Sequence, residues 1–256
     1  MAEPLYSMLR RVFCGILNIL TMTGKPPIDF ASLYAGFHSP IADFNCGERC
    51  APYNERGVPF CCDTRHAVPT AYLAEWDYLQ AHTSLWHLWQ VDDPAQMEAL
   101  RKQTPAGQVL IECQGYQQCQ RNFRSLVCRA FPFFPYVTKE GQFIGLSYYW
   151  EYEDRCWVIS HLKTVTPVYR AEFVSAYEAV FNKMEDELEN FRYFSGVMRR
   201  IFGRQHRAIP LLHRNGFCYK ITPRNGRMRC LPAEMYEKFG PYKIAAELPF
   251  PGESFG

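Results

Sequence analysis

The stretch that decides the fold runs from Asn45 to Asp63, NCGERCAPYNERGVPFCCD, and closes on two adjacent cysteines. Two prolines and a glycine separate Cys50 from Cys61 and predict an irregular loop, a backbone that can wrap around a metal. Eight of the eleven cysteines fall between positions 46 and 156, namely Cys46, Cys50, Cys61, Cys62, Cys113, Cys119, Cys128 and Cys156. We expect these thiols to converge on a metal centre that the rest of the chain holds and covers.

Composition places the chain among folded proteins with a sizeable core. The 256 residues are 48% hydrophobic and 21% charged, which argues against wholesale disorder. The 28 basic and 26 acidic residues leave a net charge of only +2. This balance gives no electrostatic case for a nucleic-acid partner.

The first residues bear on the compartment. An arginine pair precedes an apolar run from Val12 to Met22, but no small-residue cleavage site follows and Asn18 interrupts the run. The run is also shorter than the roughly 20 apolar residues that span a membrane. We therefore expect an amphipathic helix over residues 5–22, no membrane span and a cytoplasmic setting, where clustered thiols indicate metal or redox chemistry. A disulfide-bonded exported protein is the alternative.

Hydrophobic periodicity and turn residues predict a helix-rich α+β single domain. Its short strands and irregular loops would wrap around a cysteine-ligated metal centre. Further helices are expected over residues 69–90 and over 166–202, with a short helix between them that follows Pro94 and continues through Arg101. Strands are expected over 108–113 and 141–150, with 154–160 pairing to the latter. A hairpin is expected over 216–231, and a turn centred on Asn225 and Gly226 would place Cys218 opposite Ala233 rather than Cys230. The acidic run on the long helix, Glu185 to Glu189, indicates a solvated face.

Three segments follow from these elements. Residues 1–43 form an N-terminal helix and linker, and residues 44–160 form the cysteine-cluster metal-binding core. Residues 161–256 supply the long helix and the C-terminal hairpin, packed on that core. Cys14, Cys218 and Cys230 fall outside the cysteine array and are expected to be plain buried residues.

Thiolates suit zinc, copper(I) and iron–sulfur clusters. No C-x2-C pair of the kind found in zinc fingers occurs, and Tyr53 stands where a radical adenosylmethionine signature needs its third cysteine. Neighbouring cysteines diverge, so Cys61 and Cys62 either serve two different metals or only one of them is a ligand. The array would fill two four-thiolate sites, or one site with spare thiols.

Three non-thiol residues are candidates for the same site. His66 and His161 lie close in sequence to cysteines and are candidate ligands, with an ordinary hydrogen-bonded histidine as the alternative. Arg129 follows Cys128, and its guanidinium would offset the negative charge of a bound thiolate cluster. An ion pair between Arg129 and a carboxylate is the other interpretation.

A double cysteine closing the first cluster, followed by C-x5-C-x8-C-R-x-F-P at residues 113–132, resembles the YkgJ-like cysteine-cluster proteins. These are regarded as zinc- or iron-chelating proteins, and the flagellin lysine N-methylase branch has the same layout. The resemblance covers roughly residues 44–160, and Cys156 matches a further cysteine of the methylase-like branch. It implies bound iron or zinc and, by this branch alone, S-adenosylmethionine and a protein substrate.

The preferred hypothesis is a cytoplasmic iron–sulfur protein, with [4Fe–4S] chemistry of a redox or methyltransferase-like kind. The alternative is a non-catalytic zinc-binding module that presents a protein-interaction surface. An enzymatic role stays open at this level. The chain has no G-x-S-x-G, Walker A or G-x-G-x-x-G motif and no recognisable adenosylmethionine site.

Overall fold

The computed structural model describes residues 28–91 and 93–243. The expected helix over 5–22, Cys14 and the last thirteen residues lie outside these ranges. Within them the helices are α1 (Phe30–Ala35), α2 (Gly47–Cys50), α3 (Leu73–His82), α4 (Pro94–Gln103), α5 (Leu126–Ala130), α6 (Pro167–Lys183) and α7 (Glu185–Arg204). The strands are β1 (Thr70–Tyr72), β2 (Trp86–Leu88), β3 (Gln108–Cys113), β4 (Phe133–Val137), β5 (Phe143–Tyr148), β6 (Ile209–His213), β7 (Cys218–Ile221) and β8 (Met228–Cys230).

Two antiparallel sheets organise these elements. In the smaller sheet β3 lies between β1 and β2, with Ala71 opposite Val109 and His87 opposite Glu112. The larger sheet has the order β4-β5-β6-β7-β8. This mixture of helices and sheets confirms the α+β class, and β3 delivers Cys113 at its end as expected.

The larger sheet separates two hydrophobic cores because side chains alternate along its strands. On β4, Phe133 packs into one core with helix α6, whereas Phe134 packs into the other with helix α7. All five residues of β4 are buried. A strand buried on both faces explains its nearly unbroken aromatic and aliphatic sequence.

The helix expected over residues 69–90 is confined to α3, and this expectation was wrong at both ends. Its first residues form β1 and its last form β2, on the two edges of β3. Strand pairing there overrides the helical spacing of the aromatic residues. The expected pairing of 154–160 with β5 was also wrong, because β4 and β6 occupy both edges of β5 and Trp157–Thr164 is 3₁₀-helical.

The long helix expected over 166–202 is two helices that break at Met184 (φ −128°, ψ 88°). The acidic first turn of α7 suits a new helix N-terminus, where negative charge is favoured by the helix dipole. Glu187 in that turn is buried, at 7% exposure, so the acidic run is not wholly a solvated face.

The C-terminal hairpin forms, with a register different from that expected. The Thr222 amide donates to the Arg227 carbonyl, which closes a four-residue turn over 223–226. Cys218 therefore lies opposite Leu231 rather than Ala233, and Cys230 pairs with Tyr219. The two cysteines are not directly opposite each other, as expected.

Gly145 lies beside a β-bulge, where the register between β4 and β5 shifts at Tyr136 and Val137. Its φ is +152°, and a Cβ there would stand 2.3 Å from the carbonyl oxygen of Leu212. Only glycine allows β6 to approach this closely.

We predict that Gly145→Ala lowers the free energy of unfolding by about 2–4 kcal/mol, because the added methyl group must displace backbone. Gly36→Ala is the matched control. Its nearest contact would be 3.5 Å away, and the free energy of unfolding should change by less than about 1 kcal/mol. Urea-induced unfolding measures both, and equal effects would contradict the assignment.

Candidate metal centre

All eight cysteines predicted as ligands line a single cavity of about 2020 Å³. They come from four separate parts of the chain and reach the cavity from α2, the 3₁₀ turn Phe60–Cys62, β3, α5 and the loops between them. Cys218 and Cys230 lie on the C-terminal hairpin and are not among the lining residues. Cys218 is buried as expected, whereas Cys230 is exposed, so the expectation of a buried residue was wrong there. The cysteine array of the sequence is thus also an array in space.

Three of the thiols form a first group around α2. Cys46 and Cys50 stand at the two ends of this helix, which packs against the 3₁₀ segment that Cys156 precedes. Cys50 shares a small hydrophobic cluster with Trp157, Phe60 and Tyr242. Negative charge on Cys46 and Cys50 adds to burial in raising the pKa of Cys156, as expected for thiols that lie close together.

Three other thiols form a second group. Cys113 ends β3, Cys119 follows a 3₁₀ turn and Cys128 lies on α5. Burial and then charge on neighbouring thiols raise the pKa of Cys113, with Cys119 among those neighbours. The Arg124 guanidinium donates to the Cys119 sulfur, with Nε 3.1 Å from Sγ, and its charge also acts on Cys128.

The adjacent cysteines connect these two groups. The sulfur atoms of Cys61 and Cys62 lie 4.0 Å apart. Charge on Cys62 raises the pKa of thiols in both groups, Cys46 and Cys50 in one and Cys113 and Cys128 in the other. The thiols that raise the pKa of Cys61 are its neighbour Cys62 and two of the first group, Cys50 and Cys46.

Asp63 fixes the backbone that carries the adjacent cysteines. It is 1% exposed and accepts hydrogen bonds from the Arg65 guanidinium (2.9 Å) and the Asn54 side-chain amide (3.2 Å). These charge-assisted bonds lower its pKa well below the usual range. Asp63 thus links Asn54 and Arg65 across the turn that carries the adjacent cysteines.

The position of Cys128 depends on a buried carboxylate, Glu75. Its Oε1 accepts hydrogen bonds from the Tyr34 hydroxyl (2.5 Å) and from the Leu126 amide (2.6 Å) at the start of α5. Ser125 caps the same helix and accepts from the Cys128 amide at 3.3 Å. Together these contacts hold the only turn of helix that presents Cys128 to the cavity.

The structure places the three non-thiol candidates differently. His66 lines the cavity, whereas the His161 ring is stacked on Trp157 at a centroid distance of 3.8 Å. Arg129 is not a lining residue. Its guanidinium lies 4.1 Å from the Tyr34 ring centroid and donates to the backbone carbonyls of Asn122 and Arg124.

Arg124 is the cation beside the thiols, and the sequence analysis missed it. It lies five residues after Cys119 and four before Cys128, a spacing that could have drawn attention to it. Glu75 and Asp63 were missed as well. The signal for Glu75 was weak, because a glutamate in the first turn of a helix usually only caps that helix.

Burial keeps most of these thiols protonated in the absence of a bound cation. It raises the pKa of Cys50 and of Cys128 to about 12. The hydrogen bond between the adjacent pair lowers the pKa of Cys62, which Arg124 also favours as a thiolate. A metal that binds here would displace protons from buried sulfur.

The thiols do not converge on a point. Across residues 28–91 and 93–243, no three His, Cys, Asp or Glu side chains stand close enough to hold one metal ion as they are placed. The eight cysteines therefore share the lining of one cavity without a preformed ligand set among the described residues.

Comparison with protein families, with curated proteins and with solved structures finds no match for this chain. Among the described helices, none combines the length and the apolar character that crossing a membrane requires.

Glu75 makes a testable contribution to the pH dependence of stability. Burial raises its pKa from 4.5 to about 6, so the folded state binds the proton more tightly than the unfolded state does. Its stabilising contribution is complete below pH 4.5 and is lost as the pH rises through 6. The loss is about 2 kcal/mol for a shift of this size.

We predict that Glu75→Gln removes this part of the pH dependence. The free energy of unfolding of the wild type, measured in urea, should fall relative to that of the variant by about 2 kcal/mol between pH 4.5 and 6.5. Glu140→Gln, at an exposed position, should follow the wild type. Parallel pH profiles for Glu75→Gln and the wild type would show that Glu75 does not titrate in this window.

Proposed function

We propose that this chain is an iron–sulfur protein whose eight cavity thiols hold the metal, with redox or methyltransferase-like chemistry. One observation carries the proposal: cysteines from four distant parts of the sequence line the same cavity. A hydrophobic core with ordinary thiols would have no reason to gather eight of them around open space. The α+β scaffold would then wrap around the centre, as residues 44–160 suggest.

The grouping of the thiols supports two sites of four. The first would use Cys46, Cys50, Cys61 and Cys156. The second would use Cys62, Cys113, Cys119 and Cys128. We assign Cys61 to the first site because charge on Cys50 and Cys46 raises the pKa of its thiol, and Cys62, on which Arg124 acts, then completes the second.

The chain's own residues would hold and tune these sites. Arg124 offsets thiolate charge, which lowers the cost of keeping several negative sulfurs in a buried place. Asp63 orders the turn with the adjacent pair, and Glu75 orders α5. When bound, the clusters would supply one-electron transfer, with a potential set by hydrogen bonds and exposure. A reducing, cytoplasmic location fits such thiol use.

The resemblance to the methylase branch extends the proposal to a co-substrate and a substrate. S-adenosylmethionine would be the co-substrate and a protein the substrate. The cavity supports an organic ligand in addition to metal, because drug-sized ligands occupy about 300–1,000 Å³ and this cavity is larger.

A structural zinc-binding module is the second candidate. Two thiolates on one tetrahedral zinc lie about 3.8 Å apart, given a bond of 2.3 Å. The 4.0 Å between the sulfurs of Cys61 and Cys62 is close to that spacing. This candidate predicts a colourless protein without turnover that unfolds on chelation.

Anaerobic purification followed by iron and sulfide analysis tests the proposal. Two four-iron clusters predict about eight irons and eight sulfides per chain and a brown colour with broad visible absorption. Stoichiometric zinc in a colourless protein would overturn the iron–sulfur proposal in favour of the zinc module.

Cysteine variants test the grouping into two sites. Cys61→Ser and Cys62→Ser should each lose about half of the iron, because each removes a ligand from a different four-thiolate site. Adding Cys156→Ser to Cys61→Ser should cost no further iron, whereas adding Cys62→Ser should remove most of the remainder. Cys230→Ser, at an exposed strand position, is the control and should keep its full iron content. Equal losses from both pairings would reject the grouping.

A further inference from the structure

The cavity has a second wall that contains no cysteine. We call it the aromatic–acidic wall and define it by six lining residues: Phe131, Tyr149, Glu151, Tyr152, Glu187 and Phe194. They come from the end of α5, the turn after β5 and the first half of α7. Neither the metal proposal nor the resemblance gives this wall a role.

The rings of this wall pack against one another around Phe131 and Tyr149. The Phe131 ring meets that of Tyr152 edge-on, at 4.8 Å between centroids, and lies parallel to that of Tyr149 at 6.1 Å. Tyr149 in turn packs against Phe194 at 5.5 Å. The packing holds the rings in place, so the cavity meets a preformed aromatic surface.

Glu151 brings a carboxylate to these rings, and within residues 28–91 and 93–243 no ion pair to it is found. It is half-buried, and its own backbone amide is the hydrogen-bond donor that favours its ionised form. The other charge that acts on it is the negative charge of Glu153. Burial raises the pKa of Glu151 to about 7, because the ionised carboxylate is less favourable away from water.

Glu187 supplies a second carboxylate that is already fixed as an acceptor. It takes hydrogen bonds from the Tyr72 hydroxyl at 2.7 Å and from the Asn190 side-chain amide at 3.1 Å. Charge on Glu151 and on Glu187 adds to burial in raising the pKa of Tyr149. Both carboxylates therefore act electrostatically on the Tyr149 hydroxyl.

The wall lacks a basic partner of its own. Among the described residues, the charged groups that act most strongly on Glu151, Tyr149 and Glu187 are acidic or tyrosine side chains. The cation named beside the thiols, Arg124, acts on cysteines instead. Two carboxylates and several aromatic rings thus share one part of the cavity lining, where the strongest charges of the described residues are negative.

We propose that the aromatic–acidic wall binds an organic ammonium ion. The ring faces would attract the cation through their quadrupoles, and Glu151 and Glu187 would balance its charge. A hydrated metal ion is a poorer match, because hard cations prefer a shell of oxygen ligands to aromatic faces. This inference does not rest on the iron–sulfur proposal, since no cysteine takes part in it.

Calorimetric titration of the full chain with choline tests the site. Its neutral isostere 3,3-dimethyl-1-butanol has the same shape and hydroxyl group but no charge. Choline should bind about tenfold more tightly than the isostere, as cation–π and charge attraction at a partly desolvated site imply. Equal affinities, or no binding of choline, would overturn the proposal.

Variants separate this wall from general effects of charge or folding. Glu151→Gln should weaken choline binding about tenfold, whereas Glu140→Gln, which removes an exposed carboxylate outside the cavity, should not change it. Tyr149→Phe keeps a ring face and should retain binding, and Tyr149→Leu should lose it. Similar binding to both Tyr149 variants, or to both glutamate variants, would reject the site.

Circular dichroism and metal content are measured on every variant. Unchanged spectra and unchanged metal alongside weaker choline binding would attribute the loss to the wall itself. Loss of choline binding only where metal is lost would place the cation effect at the thiols and overturn the assignment. A wild type without iron that still prefers choline would reject the iron–sulfur proposal and leave this one standing.

Discussion

The cysteine-rich half of the molecule depends on one buried carboxylate. Glu75 belongs to α3, yet its hydrogen bonds reach Tyr34 on α1 and Leu126 at the start of α5, and it closes the turn at Tyr72. A fully buried carboxylate is costly unless several donors satisfy it. Three donors from three segments do so here, so those segments are committed to one arrangement before any thiol is considered.

Much of the general architecture could be predicted from the sequence. The α+β class, strand β3 with its terminal cysteine and the C-terminal hairpin follow from local periodicity and turn residues. The ends of α3 could not, because β1 and β2 exist only through pairing with a strand more than twenty residues away. The break at Met184 could not be predicted, because no glycine or proline lies beside it in the sequence. Its cause is the acidic first turn of α7 together with burial of Glu187.

The candidate site was predictable in its sulfur atoms and not in its supporting groups. The number and clustering of the cysteines indicate a shared site in the sequence. If they share a role, their side chains must lie close together in the fold. Arg124, Asp63 and Glu75 belong to residue types that are common on surfaces, and only the fold shows that they are buried or aimed at the thiols. The same holds for Glu151, which looks in sequence like any solvated acid in an aromatic-rich turn.

The thiols and the aromatic–acidic wall give one cavity two kinds of surface. One is rich in ionisable sulfur beside Arg124, and the other combines ring faces with carboxylates that lack a cation. Thiolates and carboxylates both favour positive charge, but sulfur suits soft metal ions whereas aromatic rings suit organic cations. The two surfaces would therefore select different cations within one cavity.

The two adjacent cysteines have a mechanical consequence. Their sulfur atoms lie 4.0 Å apart on a single 3₁₀ turn. If each cysteine held a different inorganic centre, as proposed, the through-bond path between the centres would run along two side chains and one peptide unit. The number of bonds in that path would stay the same whatever the surrounding helices did. In that arrangement electrons would pass through the bonds of the chain itself, and the fold would determine only which ligands surround each centre.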